Sequence, residues 1–205
     1  MINRVTQICL AAAMVLGQFM VQAHAADFMH VGGRTSQPVG HYEFCQRLPA
    51  ECMPQKHARA PLKLTGSLWA LINRINDEVN DEILPISDEE LWGVPELWSF
   101  PGNFGDCEDF VLEKRRRLIA AGVPASQLLI TVVRQSNGEG HAVLTISTDR
   151  GDLVLDNINP EILPWASTGY EFLKRQSSAH AGIWTEILDG RRTVLVQNVA
   201  STHSD

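Results

Sequence analysis

The sequence lacks a basic stripe, an internal repeat and a low-complexity tract, and its one long apolar run lies at the very beginning. Acidic residues outnumber basic residues by 24 to 17, which gives a formal net charge of -7. This charge argues against nucleic acid or an anionic membrane surface as the main partner. With 205 residues, of which 44% are hydrophobic, the chain is suited to one domain with a buried core and is not a disordered polymer.

The first 25 residues are typical of a secretory signal peptide. Arg4 precedes an apolar stretch from Ile8 to Val21, which is too short to span a bilayer comfortably. Ala23-His24-Ala25 then forms a small-x-small cleavage site. We therefore expect cleavage after Ala25 and export to the periplasm, which is an oxidising compartment. An uncleaved membrane anchor is the alternative.

Cysteine is scarce, and its count is uneven in the expected mature chain. Cys9 leaves with the signal, whereas Cys45 and Cys52 lie close together, with Pro49 between them, where a disulfide is feasible. Cys107 then has no partner, and the count alone leaves open whether its thiol is buried and inert or a working nucleophile. No CxxC or HxxxH pair accompanies it, which makes a zinc site a poor alternative.

The periodicity of the chain predicts helices first and strands afterward, which indicates an α+β domain. Apolar residues recur at helical spacing from Leu64 to Ile83. A second helix is expected over 107–121, with Asp106 as its cap and Gly122 at its end. Residues 26–62 have little periodicity and are expected to be an irregular N-terminal segment, which leaves 63–205 as the folded domain.

Beyond residue 128 the apolar period changes to two, as in strands. Strands are predicted at 128–134, 141–148 and 152–156, and a hairpin at Asp189-Gly190 joins 184–188 to 192–196. If Thr148 and Asp149 form the centre of the earlier turn, His141 lies directly opposite Asp156. Directly opposed residues share a face of the sheet, so this carboxylate could hold one imidazole nitrogen while the other faces a thiol.

Cys107 stands where a nucleophilic cysteine is favoured. It follows Gly105-Asp106 at the expected helix start, where unpaired backbone N–H groups stabilise a thiolate. A helix-start cysteine, a strand-start His141 and a strand-end Asp156 together fit a nucleophile, its base and an orienting carboxylate. Each residue alone has an ordinary structural role, but the three together predict a catalytic triad.

The motifs around these residues resemble the bacterial transglutaminase-like cysteine proteases of the periplasm. The resemblance rests on the runs 73–80, 105–110, 140–144 and 155–157, and extends over roughly 41–172. It implies a transglutaminase-like, papain-like fold with the nucleophile at a helix N-terminus, packed on an antiparallel sheet. It also implies Cys107 as nucleophile, His141 as base and Asp156 as orienting carboxylate.

The resemblance extends to a branch of the family that needs Ca²⁺. That branch cuts a giant repeat-rich adhesin, and an inner-membrane receptor that senses cyclic di-GMP holds it inactive. Its calcium ligands match Asp106 and Glu108 here. Because Ca²⁺ takes six to eight oxygens, further ligands would have to come from the backbone, water or nearby residues such as Asp109, Asn103 and Asn157. The alternative is that Asp106 caps the helix and Glu108 favours its dipole.

Two other functions stay open at this level. The same triad could form an acyl-enzyme that an amine resolves, which would make the protein an acyltransferase or amidase. The fold could also serve as a catalytically silent module that binds a peptide or a receptor loop. The presence of Cys107, His141 and Asp156 together argues against the silent module.

Overall fold

A seven-stranded antiparallel sheet forms the framework of the molecule, with strand order β1-β9-β8-β4-β5-β6-β7. The structure is a computed structural model and describes residues 27–56 and 60–189. A separate parallel pair consists of β2 and β3. The strands are β1 Val31–Thr35, β2 Leu84–Pro85, β3 Phe104–Gly105, β4 Leu128–Arg134, β5 Gly140–Thr148, β6 Gly151–Leu155, β7 Leu163–Pro164, β8 Glu171–Ser177 and β9 His180–Ile187.

Four α-helices are described, and α4, which carries Cys107, packs against the sheet at β5. The helices are α1 Val39–Arg47, α2 Gly66–Glu82, α3 Asp88–Trp92 and α4 Cys107–Ala120. Thr65 caps α2 by accepting a hydrogen bond from the backbone N–H of Leu68. The apolar spacing of α2 buries one face of the helix, in which Ile72 and Val79 are fully enclosed. This arrangement of helices on an antiparallel sheet agrees with the predicted α+β class.

The two faces of the central sheet carry separate apolar clusters. Even-numbered positions of β5, such as Leu144 and Ile146, join the large cluster that contains α2 and α4. Odd-numbered positions, such as Val143, join a smaller cluster on the opposite face. This alternation is the strand period that the sequence contains, and it fixes which side chains of β5 face α4.

The turn between β5 and β6 lies one residue later than predicted, which shifts the pairing of the two strands by two residues. Thr148 pairs with Gly151, so Asp149 and Arg150 form the centre of the turn. Gly151 has a φ of 109°, which an L side chain rarely adopts, and the hydroxyl of Thr148 donates to its carbonyl oxygen. The predicted direct opposition of His141 and Asp156 is therefore wrong. A shift of two positions keeps both residues on the same face, where they are diagonal neighbours.

The N-terminal segment is not irregular, in contrast to the prediction for 26–62. Within it, β1 pairs with β9, and α1 is followed by a short 3₁₀ turn at Pro49–Cys52. The buried residues of α1 are Gly40, His41 and Phe44, and β1 reads VGGRT. These elements have almost no apolar period in their sequence. Contacts with distant parts of the chain hold them in place instead.

The predicted hairpin at Asp189-Gly190 is also wrong as a pairing. Both edges of β9 are already occupied, by β8 on one side and β1 on the other. The expected partner strand, 192–196, lies outside the described residues, as does the expected signal peptide at 1–25. The strand β8 was not predicted, because only Phe172 and Gln176 of its seven residues are buried.

Cys45 and Cys52 form a disulfide, which joins α1 to the 3₁₀ turn. Cys107 is the free cysteine of the described residues, in agreement with the cysteine count. Within the described ranges, no helix combines the length and apolarity that crossing a membrane requires.

Candidate active site

The thiol of Cys107 lies at the first residue of α4, where the sequence predicted it. The turn that leads into α4 needs glycine, because a Cβ at Gly105 would lie 2.7 Å from Oδ2 of Asp109. The backbone N–H of Ala142, in β5, lies near enough to the sulfur to favour the thiolate. This contact places the thiol beside the residue that follows His141 in the chain.

The immediate surroundings of Cys107 are acidic. Its thiol donates a hydrogen bond to Oε2 of Glu108 at 3.2 Å. Burial and the neighbouring negative charges of Glu108 and Asp106 hold the pKa of the thiol well above its ordinary value, although the N–H of Ala142 opposes them. We expected the helix start to lower this pKa. That lowering does not occur while the negative charges of the flanking carboxylates are not neutralised.

His141 and Asp156 form a buried hydrogen-bonded pair. Nε2 of His141 lies 2.8 Å from Oδ1 of Asp156, and the two side chains are only 2% and 3% exposed. This bond leaves Nδ1 as the second ring nitrogen. His141 is the second residue of β5, and Ala142, whose backbone N–H favours the charged form of Cys107, directly follows it. The catalytic roles of these three residues stay a prediction.

The carboxylate of Asp156 is fully provided with donors. Oδ1 also accepts the backbone N–H of Ile158 at 3.1 Å, and Oδ2 accepts the hydroxyl of Tyr170 at 2.5 Å. Burial alone would raise the pKa of Asp156, but the hydrogen bond and charge of His141, together with the other donors, keep it below its ordinary value. Asp156 is therefore held as a carboxylate that accepts from His141.

A buried lysine supports the backbone at the same position. Nζ of Lys114, two turns after Cys107 on α4, donates to the carbonyl oxygen of Asp156 at 2.8 Å. Asn80 of α2 donates to the same oxygen at 3.0 Å. Burial lowers the pKa of Lys114 to about 7, although the charges of Asp156 and Asp77 oppose this. The helix that begins at Cys107 is thus tied directly to the backbone of Asp156.

A cluster of three carboxylates lies beside the thiol. One ligand atom each from Asp88, Asp106 and Glu108 falls within 4.8 Å of the others. The parallel pairing of β2 with β3 brings Asp88 close to Asp106, because the segments that follow the two strands start at the same end of the pair. The backbone N–H of Asp88 donates to Oδ2 of Asp106 at 3.3 Å, and its own Oδ2 accepts the N–H of Leu97.

The carboxylate cluster (Asp88, Asp106 and Glu108) fits a hard cation. Oδ1 of Asp106 and Oε1 of Glu108 are buried and have no hydrogen-bond partner. Burial and the charge of Asp106 raise the pKa of Glu108 to about 9, and the same two causes raise the pKa of Asp88. Unpartnered, repelling carboxylate oxygens are the donor set that Ca²⁺ prefers.

The structure corrects three details of the predicted metal site. The side chain of Asp106 does not cap α4, because it turns toward Asp88 and makes no cap hydrogen bond. Asp109 lies outside the carboxylate cluster, and its Oδ1 accepts the backbone N–H of Ser99. Asp88 was not predicted as a ligand, since only the β2–β3 pairing places it near the other two. Asn103 and Asn157 stay predictions.

Comparison with known proteins yields a matching family model and similar solved structures. Residues 31–192 match the family model of the bacterial transglutaminase-like cysteine proteinase, BTLCP. A search of curated proteins gives no match. The chain is similar to calcium-bound LapG of Legionella pneumophila, with 25% identity, a TM-score of 0.50 and coverage of 58% of this chain and 68% of that chain. EGTA-treated LapG is similar at 25% identity and a TM-score of 0.49, over 60% and 73% of the two chains.

Proposed function

The chain belongs to the bacterial transglutaminase-like cysteine proteinases, and on that premise we propose that it is an endopeptidase with a triad of Cys107, His141 and Asp156. The observation that carries this assignment is the buried 2.8 Å hydrogen bond between His141 and Asp156. It lies next to a free cysteine at a helix N-terminus, where the N–H of Ala142 meets the sulfur.

In the proposed reaction, the sulfur of Cys107 attacks the carbonyl carbon of the scissile peptide bond. Nδ1 of His141 takes the thiol proton and later gives it to the departing amine, while the acyl group remains on sulfur as a thioester. Water then releases the acyl group and regenerates the thiol. Asp156 keeps the imidazole in the orientation and tautomer that leave Nδ1 free. First-turn N–H groups of α4 have no partner within the helix and are available to the oxyanion.

We propose that the carboxylate cluster holds Ca²⁺. The support is the pair of unpartnered buried oxygens, the raised pKa of Glu108 and the calcium-bound form of the similar LapG. A bound calcium ion would supply positive charge that offsets the carboxylates beside the thiol. Asp88, Asp106 and Glu108 would hold the ion. Glu108 would then no longer be the acceptor that retains the proton on Cys107.

The substrate is proposed to be a protein, and specifically a large repeat-rich adhesin of the cell surface. We further propose that the enzyme acts in the periplasm, after cleavage of its signal peptide at Ala25, and that an inner-membrane cyclic di-GMP receptor controls it. These proposals are supported by the sequence motifs that resemble the adhesin-cutting branch and by the presence in this chain of the acidic pair Asp106 and Glu108.

The test is proteolysis of a whole periplasmic and outer-membrane fraction by purified protein, read by N-terminal sequencing of the products. Wild type is compared with Cys107→Ala, each with calcium and with a chelator. New N-termini that appear with wild type and calcium, and are absent with Cys107→Ala, would support the proposal. Identical products from both proteins would contradict it.

Hydrolysis and acyl transfer are separated in the same assay. An amine-bearing probe is added together with a glutamine-containing peptide. Incorporation of the probe without new N-termini would show that an amine resolves the thioester, and the endopeptidase proposal would then be wrong.

A further inference from the structure

Tyr170 is the residue that completes the donor set of Asp156, and the proposed mechanism above gives it no role. Its hydroxyl donates to Oδ2 of Asp156 at 2.5 Å, on the oxygen that His141 does not use. Tyr170 follows Gly169, whose φ is 77°, and immediately precedes β8. The positive φ of Gly169 thus lies directly before the residue whose hydroxyl contacts Asp156.

The same side chain also contacts the base. The ring of Tyr170 lies edge-on to the imidazole of His141, with centroids 5.6 Å apart. One face of the pair is thus covered by an aromatic ring whose hydroxyl is bonded to the carboxylate. Tyr170 is itself packed against the smaller apolar cluster. This packing fixes the ring independently of the nucleophile.

The orientation of a carboxylate depends on both of its oxygens. Oδ1 of Asp156 accepts from His141 and Ile158, and these two donors alone allow the group to rotate about its last bond. A third donor on Oδ2 removes that freedom. The plane of the carboxylate, and with it the position of Nδ1 of His141, is then set before substrate arrives.

We propose that Tyr170 is a positioning residue of this protease, which holds Asp156 in the rotamer that orients His141 toward Cys107. The inference rests on the proposed triad and adds to it a residue from a different part of the chain. Burial and the nearby carboxylate raise the pKa of Tyr170 further above its ordinary value, so the phenol stays a donor throughout the working range of pH.

The first experiment compares Tyr170→Phe with wild type on the cleavage of a protein substrate. We expect kcat to fall about tenfold with KM within about twofold, because orientation of the base is lost while substrate contacts remain. The chain has two tyrosines, so Tyr42→Phe is the matched control; Tyr42 is 54% exposed and should leave both constants unchanged. A thermal unfolding midpoint close to that of wild type excludes a folding defect.

The second experiment needs no substrate and therefore separates this inference from the proposed function. It measures the rate at which iodoacetamide alkylates Cys107, followed by mass spectrometry of the peptide that contains it. Tyr170→Phe and Asp156→Ala should each slow the reaction. The double variant should be no slower than Asp156→Ala, because Tyr170 acts only through that carboxylate.

The outcomes are distinct. Non-additive alkylation rates support the inference even if no proteolysis is found, in which case the proposed function alone fails. Additive effects in the double variant would overturn it, because they would show that Tyr170 acts on Cys107 independently of Asp156. Equal rates for Tyr170→Phe, Tyr42→Phe and wild type, or for Asp156→Ala and wild type, would overturn it as well.

Discussion

The two sides of the candidate site differ in how many of their carboxylate oxygens have a hydrogen-bond donor within the protein. On one side, both oxygens of Asp156 are bonded, and its pKa lies below the ordinary value. On the other side, Asp106 and Glu108 each keep a buried oxygen without a partner, and the pKa of Glu108 is raised to about 9. Both sides contain buried carboxylate oxygens, so burial alone does not explain the difference.

The difference lies in the donors that each side receives. Asp156 is met by a histidine, a phenol and a backbone N–H, whereas the members of the carboxylate cluster mainly face one another. The hydrogen bonding of His141 and Asp156 is therefore complete in the protein alone, whereas that of the carboxylates around the thiol is not. We therefore expect an added cation to affect activity mainly through the region around Cys107.

The largest loss of activity is expected from substitutions of His141 and Asp156, whose hydrogen bonds the protein completes by itself. His141→Ala should lower kcat/KM by about 10³-fold or more, because it removes the proposed base that takes the thiol proton and returns it to the leaving amine. Asp156→Asn should cost less, since it disturbs the orientation of the base and leaves the base in place. Steady-state cleavage measures both variants, and circular dichroism checks the fold. Full activity of His141→Ala would remove this side from the catalytic machinery.

The next largest effect is expected on the calcium dependence of activity, at the carboxylate cluster. Glu108→Gln keeps the shape of the side chain and removes one charge, so we expect the calcium concentration for half-maximal activity to rise at least about tenfold. Calorimetry of calcium binding provides the independent measurement.

Asp109→Asn is the matched control for that variant. Asp109 is the next acidic residue, and burial raises its pKa to about 7, but it lies outside the carboxylate cluster. It should retain the calcium response of wild type. If wild type keeps its activity in chelator and binds no calcium at millimolar concentration, the carboxylate cluster is not a calcium site.

A smaller effect is expected on stability as a function of pH. The pKa of Glu108 is raised on folding, so the folded, calcium-free protein binds this proton more tightly than the unfolded chain does. Its thermal midpoint in chelator should therefore fall as pH rises from about 4.5 to about 9. Glu108→Gln should flatten this slope, and calcium should reverse it. A slope that is the same in wild type and Glu108→Gln would contradict the raised pKa.

The smallest effect on activity should come from a region outside both sides. Replacing Cys45 and Cys52 by alanine removes the disulfide, which should lower the free energy of unfolding by about 2–3 kcal/mol for a loop this short. Activity should stay within about twofold, because neither residue touches the triad or the carboxylate cluster. Denaturant unfolding and thiol titration measure the change. A large loss of kcat with an unchanged midpoint of unfolding would show that the disulfide takes part in the site.

The family, the class of cysteine protease and the transglutaminase-like α+β fold could all be predicted from the sequence, and the comparisons confirm them. The strands β4, β5 and β6 and the helix that starts at Cys107 were placed nearly to the residue. These elements carry strong apolar periods and clear breakers, which depend on local sequence only. The localisation in the periplasm and the adhesin substrate stay predictions.

Elements without an apolar period could not be found in this way. The helix α1 buries a glycine and a histidine, and β8 buries Phe172 and Gln176. In β8, the side chain of Gln176 accepts the backbone N–H of Ile130, near the irregular part of its pairing with β4. Polar residues that serve such long-range contacts give no signal in a single sequence.

The sequence by itself determined the three residues of the proposed triad and the acidic pair beside the nucleophile, because helix starts, strand ends and turn residues are local features. The tertiary structure alone decided their additional partners. Asp88 reaches the carboxylate cluster only through the pairing of β2 with β3, and Tyr170 reaches Asp156 only from the chain that leads into β8. Contacts between residues this far apart follow from the packing of whole elements, and neither spacing nor periodicity along the chain encodes them.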